Sequence, residues 1–253
     1  MEAGNRGALD AGGHSIGLNI VLPFEQAPNE YVTPELCFNF HYFAIRKMHF
    51  LMRARAICVF PGGFGTMDEL FEALTLIQTG KSHMVPIVFM HPEGSVFWSD
   101  WHQYNVDRLL QRGMISPEDL SLYKVTSSVE EAADEVRGFY RRYHSMRYVR
   151  DRLIVRLEAV ISEEEIELLN EEFGDILKSG KIEPTLALAE EHDKTISHLP
   201  RIKFHFRRRA FGRLRELINR LNSFELPEYS SIEVPEAGEG GLLPSEMDEG
   251  SDN

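Results

Sequence analysis

Short runs that are apolar at every position alternate with longer stretches in which apolar residues recur every three or four positions. The clearest pair lies at 56–77. Ala56-Ile57-Cys58-Val59-Phe60 reads as a strand buried on both faces, the usual state of a strand inside a parallel sheet. Met67, Leu70, Phe71, Leu74 and Ile77 then mark one face of a helix. Between them stands Pro61-Gly62-Gly63-Phe64-Gly65-Thr66, a glycine turn that lets the backbone bend sharply and approach a ligand closely. The helix start that follows presents free N–H groups and a partial positive charge, which suits phosphate. On a helical wheel Thr66 and Glu69 lie together, off the Met67/Phe71 stripe and so out of the core.

The same alternation organises the rest of the chain. A helix is expected over 1–9, strands over 14–22 and 36–43, and a proline-bearing loop over 24–34. A short helix over 46–55 places Arg46, His49 and Arg53 on one polar face, with two of these cations directed at the pocket that Glu69 faces. Gly80 fits a helix C-cap. Strands then follow over 84–90 and 122–126, and helices over 96–112 and 128–143, the last opened by a Ser127/Ser128 cap. Strands alternating with helices predict an α/β fold, a Rossmann-like parallel sheet with helices on both faces and a ligand crevice at the carboxyl ends of the strands. Arg141, Arg142, Arg147, Arg150, Arg152 and Arg156 mark a boundary. Beyond it, strands over 153–155 and 202–206, a further strand over 182–188, and helices over 162–173 and 211–221 form a small α+β module. The expected division is 1–145 for the α/β domain, 146–223 for the module and 224–253 for a tail.

Charge changes the picture only at that tail. The chain of 253 residues carries a formal net charge of −13, but residues 222–253 hold nine acidic residues and no Lys or Arg. Rich also in Gly, Pro and Ser, the tail reads as disordered and solubilising. Arg207, Arg208, Arg209, Arg213 and Arg215 make the module locally basic. With no aromatic residues interleaved, they read as a solvated face or a contact for the tail rather than a nucleic-acid site. No apolar run approaches a membrane span, and no signal peptide opens the chain. Cys37 and Cys58, both in apolar runs, read as buried free thiols of a cytoplasmic protein, and no zinc spacing is present.

The string Pro-Gly-Gly-x-Gly-Thr-x-x-Glu at 61–69 resembles the signature of the LOG family, also described as lysine-decarboxylase-like. Arg46-Lys47-Met48, 23 residues before Glu69, is similar to that family's Arg-Lys-x-x-Met region. The opening Met1-Glu2-Ala3-Gly4-Asn5-Arg6-Gly7-Ala8 resembles the segment that follows its first Gly-Gly-Gly phosphate loop. The resemblance covers residues 1–140. It implies a nucleoside 5′-monophosphate phosphoribohydrolase, which releases a free base and ribose 5-phosphate through a cation-like ribose. Glu69 then stabilises that cation or activates water, and Arg46 holds the phosphate and helps the base leave. Gly62, Gly63, Gly65 and Thr66 bind phosphate or ribose, and Lys47 adds charge. No metal or cofactor is implied, and a homodimer is. In the family a first strand and glycine loop precede the opening segment, so the expectation is that both are encoded in frame upstream of the Met1 codon. The alternative reading is a nucleotide-binding or regulatory protein without turnover.

Overall fold

A computed structural model describes residues 2–21, 28–191 and 193–226. The tail read as disordered lies outside these residues from 227 onward, as do residues 24–27 of the expected loop. The chain runs α1 (Glu2–Asp10), β1 (Gly17–Ile20), β2 (Cys37–Phe40), α2 (Phe43–Arg53), β3 (Ile57–Val59) and α3 (Phe64–Gln78). It continues through β4 (Ile87–Met90), α4 (Phe97–Tyr104), β5 (Tyr123–Thr126) and α5 (Val129–Phe139). The C-terminal part holds β6 (Tyr143–Val149), β7 (Arg152–Leu157), α6 (Glu163–Glu172), β8 (Leu177–Thr185), β9 (Arg201–Phe206) and α7 (Phe211–Ser223).

The fold is α/β and Rossmann-like: every ladder up to β5 is parallel. β1 pairs with β2, and β3–β4–β5 form a second parallel set. The last four strands form an antiparallel sheet in the order β6-β7-β9-β8. Ile87, Val88 and Phe89 of β4 are fully buried, as befits a strand covered on both faces. Phe89 anchors an aromatic cluster with Trp98, Trp101 and Tyr123, and the Trp98 indole donates to the Met90 carbonyl at 3.2 Å. That bond explains how so large a polar-tipped ring is buried.

β3 departs from the expectation of a doubly buried strand. Val59 is buried, while Cys58 and Phe60 are exposed, so the strand alternates like one with a single covered face. Neither cysteine is buried as expected, although both are free thiols. The buried stripe of α3 is Leu70, Ala73 and Ile77, and Phe71, expected in the core, is half-exposed against Trp101.

The helix expected to run to 143 stops at Phe139, and Tyr143–Val149 is a strand instead. The reason lies far away in sequence. The Asn222 side chain, at the end of α7, accepts from the Arg142 and Tyr143 N–H groups at 2.8 and 3.0 Å and donates to the Phe139 carbonyl at 2.6 Å. One amide thus takes the backbone groups that a longer helix would use. The division expected between 145 and 146 falls inside β6, and buried side chains on both sides of it share one apolar cluster. Two of the arginines of this region, Arg142 and Arg156, are buried in ion pairs, as is Arg201. Arg142 is buried against Glu165, and Arg156 and Arg201 enclose Glu191, whose side chain is 1% exposed.

α3 ends where Gly80, at φ +68°, reverses the chain, with Lys81 N–H donating to the Leu76 carbonyl at 2.8 Å. A Cβ at Gly80 would overlap the ring of Phe211, so the same glycine lets α7 seat against α3. No helix among the described residues is long and apolar enough to cross a membrane.

Two predictions follow from this packing. Gly80→Ala combines a left-handed backbone with overlap in the core, and thermal denaturation will show a loss of at least about 2 kcal/mol. At Glu191, burial pushes the carboxyl up, but the bonds from Arg156 and Arg201 outweigh it and hold its pKa below the ordinary value. Its stabilisation is therefore present above the unfolded carboxylate value, about 4.3, and is lost as pH falls through the lower folded one. Denaturant titrations across pH 2–7 will show Glu191→Gln flattening that acid limb and costing about 3–5 kcal/mol at neutral pH.

Candidate active site

The turn and helix expected from the 61–69 string are present. Gly63 is the N-cap of α3, in an extended conformation and with no side chain capping the helix. The N–H groups of Phe64, Gly65 and Thr66 therefore point forward unsatisfied by any cap, the arrangement that accepts an anion. Nothing stands within 4 Å of where a Cβ would be on Gly63 or Gly65, so that approach is open. Gly62 is different. A Cβ there would overlap Thr66 Oγ1, so the absence of a side chain lets the Thr66 hydroxyl fold back under the turn. Phe64 stands almost fully exposed at the rim.

Glu69 sits one turn further along α3, and Arg46 comes from the first half of α2. The two meet directly: Arg46 Nη2 donates to Glu69 Oε1 at 2.8 Å, and both side chains are about one quarter exposed (24% and 25%). The Arg46 guanidinium also lies 5.4 Å from the centre of the Phe43 ring, which limits its freedom. The other oxygen, Glu69 Oε2, is buried and has no hydrogen-bond partner among the described residues. A buried acceptor without a donor is costly in a carboxylate.

Lys47 lies on a different side of α2. Its ammonium is buried and bridges Asp68 and Glu72, the latter at 2.9 Å. Burial pulls its pKa down, and the two carboxylates more than restore it, so the group stays charged. Asp68 and Glu72 are spaced i, i+4 on α3, which puts both on one face for a single cation to span. The bridge clamps α2 to α3 and sets the height at which Arg46 meets Glu69. Neither its partners nor the Arg46–Glu69 contact was read from the sequence; the i, i+4 acidic spacing beside a conspicuous Arg-Lys pair was the available signal.

The three cations of α2 do not share a pocket. Arg46 reaches Glu69, His49 packs on Phe40 with ring centres 5.5 Å apart, and Arg53 lines a separate cavity. Of the basic cluster in the module, Arg213 is bonded to Asp175 and Glu216, and Arg215 is buried against Glu135.

Comparison with known proteins finds relatives over the N-terminal part of the chain. A probable cytokinin riboside 5′-monophosphate phosphoribohydrolase of Oryza sativa subsp. japonica is 27% identical over 99 residues, 39% of this chain and 44% of that protein. The cytokinin riboside 5′-monophosphate phosphoribohydrolase of Mycobacterium tuberculosis is 37% identical over 87 residues, 34% of this chain and 44% of that protein. One from Arabidopsis thaliana is 26% identical over 101 residues, covering 40% and 46%. The chain thus spans less than half the length of these curated relatives. The sequence profile of the family described as possible lysine decarboxylase matches residues 1–136, more than half of the chain, and the protein accordingly belongs to that family, the LOG family.

Proposed function

We propose that this protein hydrolyses the N-glycosidic bond of a nucleoside 5′-monophosphate. The observation that carries the reading is Glu69: a carboxylate with one oxygen held by Arg46 and the other buried and unpaired, beside an uncapped helix start. In this reading the phosphate rests on the N–H groups at the start of α3, at Gly63, Gly65 and Thr66, with Gly62 leaving room for the Thr66 hydroxyl. The ribose then lies over Glu69.

As the bond from C1′ to the base nitrogen breaks, positive charge spreads over C1′ and the ring oxygen. An ionised Glu69 stabilises that charge. Water, hydrogen-bonded to Oε2, adds its oxygen to C1′; its proton passes to the carboxylate and then to the departing base, which leaves neutral. Products are the free base and ribose 5-phosphate. Arg46 orients Glu69 in the empty site, and within reach of the phosphate it adds charge there. Lys47 acts through the clamp on Asp68 and Glu72, positioning Arg46. The family relatives named above support the substrate class. Exposed apolar side chains on α2 and α3, among them Phe43, Met48, Phe64 and Phe71, support a homodimer through this face.

Incubation with AMP, with chromatography for adenine, tests the reading. Glu69→Gln keeps the shape of the side chain and removes its charge, and base release will fall about 100-fold or more while the circular dichroism spectrum is unchanged. Nucleotide binding without any base release by the unaltered protein would instead favour a regulatory role. Lys47→Met retains the aliphatic stem and loses the clamp; the expected outcome is a stability loss of about 1 kcal/mol in a melting experiment, with kcat reduced more than KM is raised.

A further inference from the structure

A second site lies at the other end of the parallel strands. Glu69 and the glycine turn follow the carboxyl end of β3. A cavity of about 450 Å³ opens instead at the amino ends of β3 and β4, where Arg53 and Arg55 leave α2 and His83 leads toward β4. β6 supplies its opposite wall through His144 and Arg147, so the cavity exists only because the C-terminal sheet packs here. Its volume falls in the range of small-molecule sites.

The lining carries more cationic than acidic side chains: Arg53, Arg55, Arg147 and Arg156 against Asp193. Arg53, Arg55 and Arg147 have no carboxylate partner among the described residues. Arg55 is held in place by stacking 4.7 Å from the centre of the Tyr140 ring, and the Tyr140 hydroxyl donates to the Arg55 carbonyl at 2.6 Å. The one acidic side chain in the lining, Asp193, is already engaged by the N–H and hydroxyl of Thr195. The His144 imidazole is held below its ordinary pKa by burial first, with Arg55, Arg156 and His198 adding to the effect against Glu158. The Tyr148 hydroxyl on the same wall is buried with no partner among the described residues.

The cavity continues into an apolar one of about 610 Å³, with Met52, His83, Met146, Arg147 and Tyr148 common to both. Leu51, Leu76 and Phe211 line the far part. The two adjoining cavities make a groove with Arg53 and Arg55 in the first, Arg147 on the shared wall, and mainly aliphatic and aromatic surface, beside Glu72 and Lys81, in the second. Arginine forks of this kind bind phosphate oxygens, and tyrosine and methionine faces accept a flat ring.

We propose that this groove binds a small organic phosphate of nucleotide size, its phosphate on Arg53, Arg55 and Arg147 and its ring on the apolar side. The site is separate from the one assigned to hydrolysis, although α2 runs between them.

Calorimetric titration of the full chain with ADP tests the proposal, with adenosine as the probe lacking phosphate. ADP is expected to bind the unaltered protein and the Arg46→Ala variant with affinities within about twofold of each other. The double variant Arg53→Ala/Arg147→Ala is expected to lose at least about tenfold in affinity, and adenosine is expected not to bind measurably. Absence of ADP binding, equal binding of adenosine, or binding lost in Arg46→Ala but kept in the double variant would each overturn it. Arg55→Gln, at an exposed position, carries the same expectation should the double variant not fold. None of these readouts requires base release, so failure of the hydrolytic reading leaves this test intact.

Discussion

The hydrogen bond from Arg46 to Glu69 joins two helices that enter the site from different directions. α2 arrives from the side of β1 and β2, and α3 leaves the glycine turn after β3. An ion pair alone, a quarter exposed, would hold them only weakly. What makes the junction firm is the second contact beside it, Lys47 between Asp68 and Glu72, together with the burial of Leu70, Ala73 and Ile77 beneath α3. The two contacts divide the work. One keeps the helices at a fixed height, and the other orients a carboxylate whose remaining oxygen stays without a donor. An orphaned buried acceptor lowers the stability of the empty protein, and a ligand that supplies the donor recovers that loss on binding.

Where local chemistry decides a feature, the sequence was sufficient to read it. The strand, glycine turn and helix at 56–77 depend on residues that touch each other along the chain. So do the Ser128 and Ser162 caps, whose hydroxyls accept from N–H groups three residues on. The parallel order of the early strands was legible because the apolar runs and helical stripes alternate without interruption. Glu69 and Arg46 stood out through their place in the motif strings, and the structure brings them into contact.

The features that escaped are those set by distant partners. α5 stops at Phe139 because Asn222, some eighty residues later, binds the groups a longer helix would need. β6 escaped because its residues, Tyr-His-Ser-Met-Arg-Tyr-Val, show no clean alternation, and the five between its buried ends are all partly exposed. The arginines from 141 to 156 read as a boundary because charge usually marks a surface. Two of them, Arg142 and Arg156, are instead buried beside Glu165 and Glu191, where a carboxylate supplied by another element makes burial tolerable. β3 erred in the other direction, since a run of apolar residues says nothing about whether a second layer covers both of its faces.

The length of α2 carries a consequence of its own. Arg46 and Arg53 lie seven residues apart on it, two turns and about 10 Å, so one rod joins the site proposed for hydrolysis to the groove proposed for a phosphate. A rod cannot tilt at one end alone. On those two proposals, a solute that tilted α2 through Arg53 would also move Arg46 against Glu69, and any such coupling would be reciprocal. The antiparallel sheet, which contributes no residue to the site around Glu69, gains in this way a route by which its own packing is felt there.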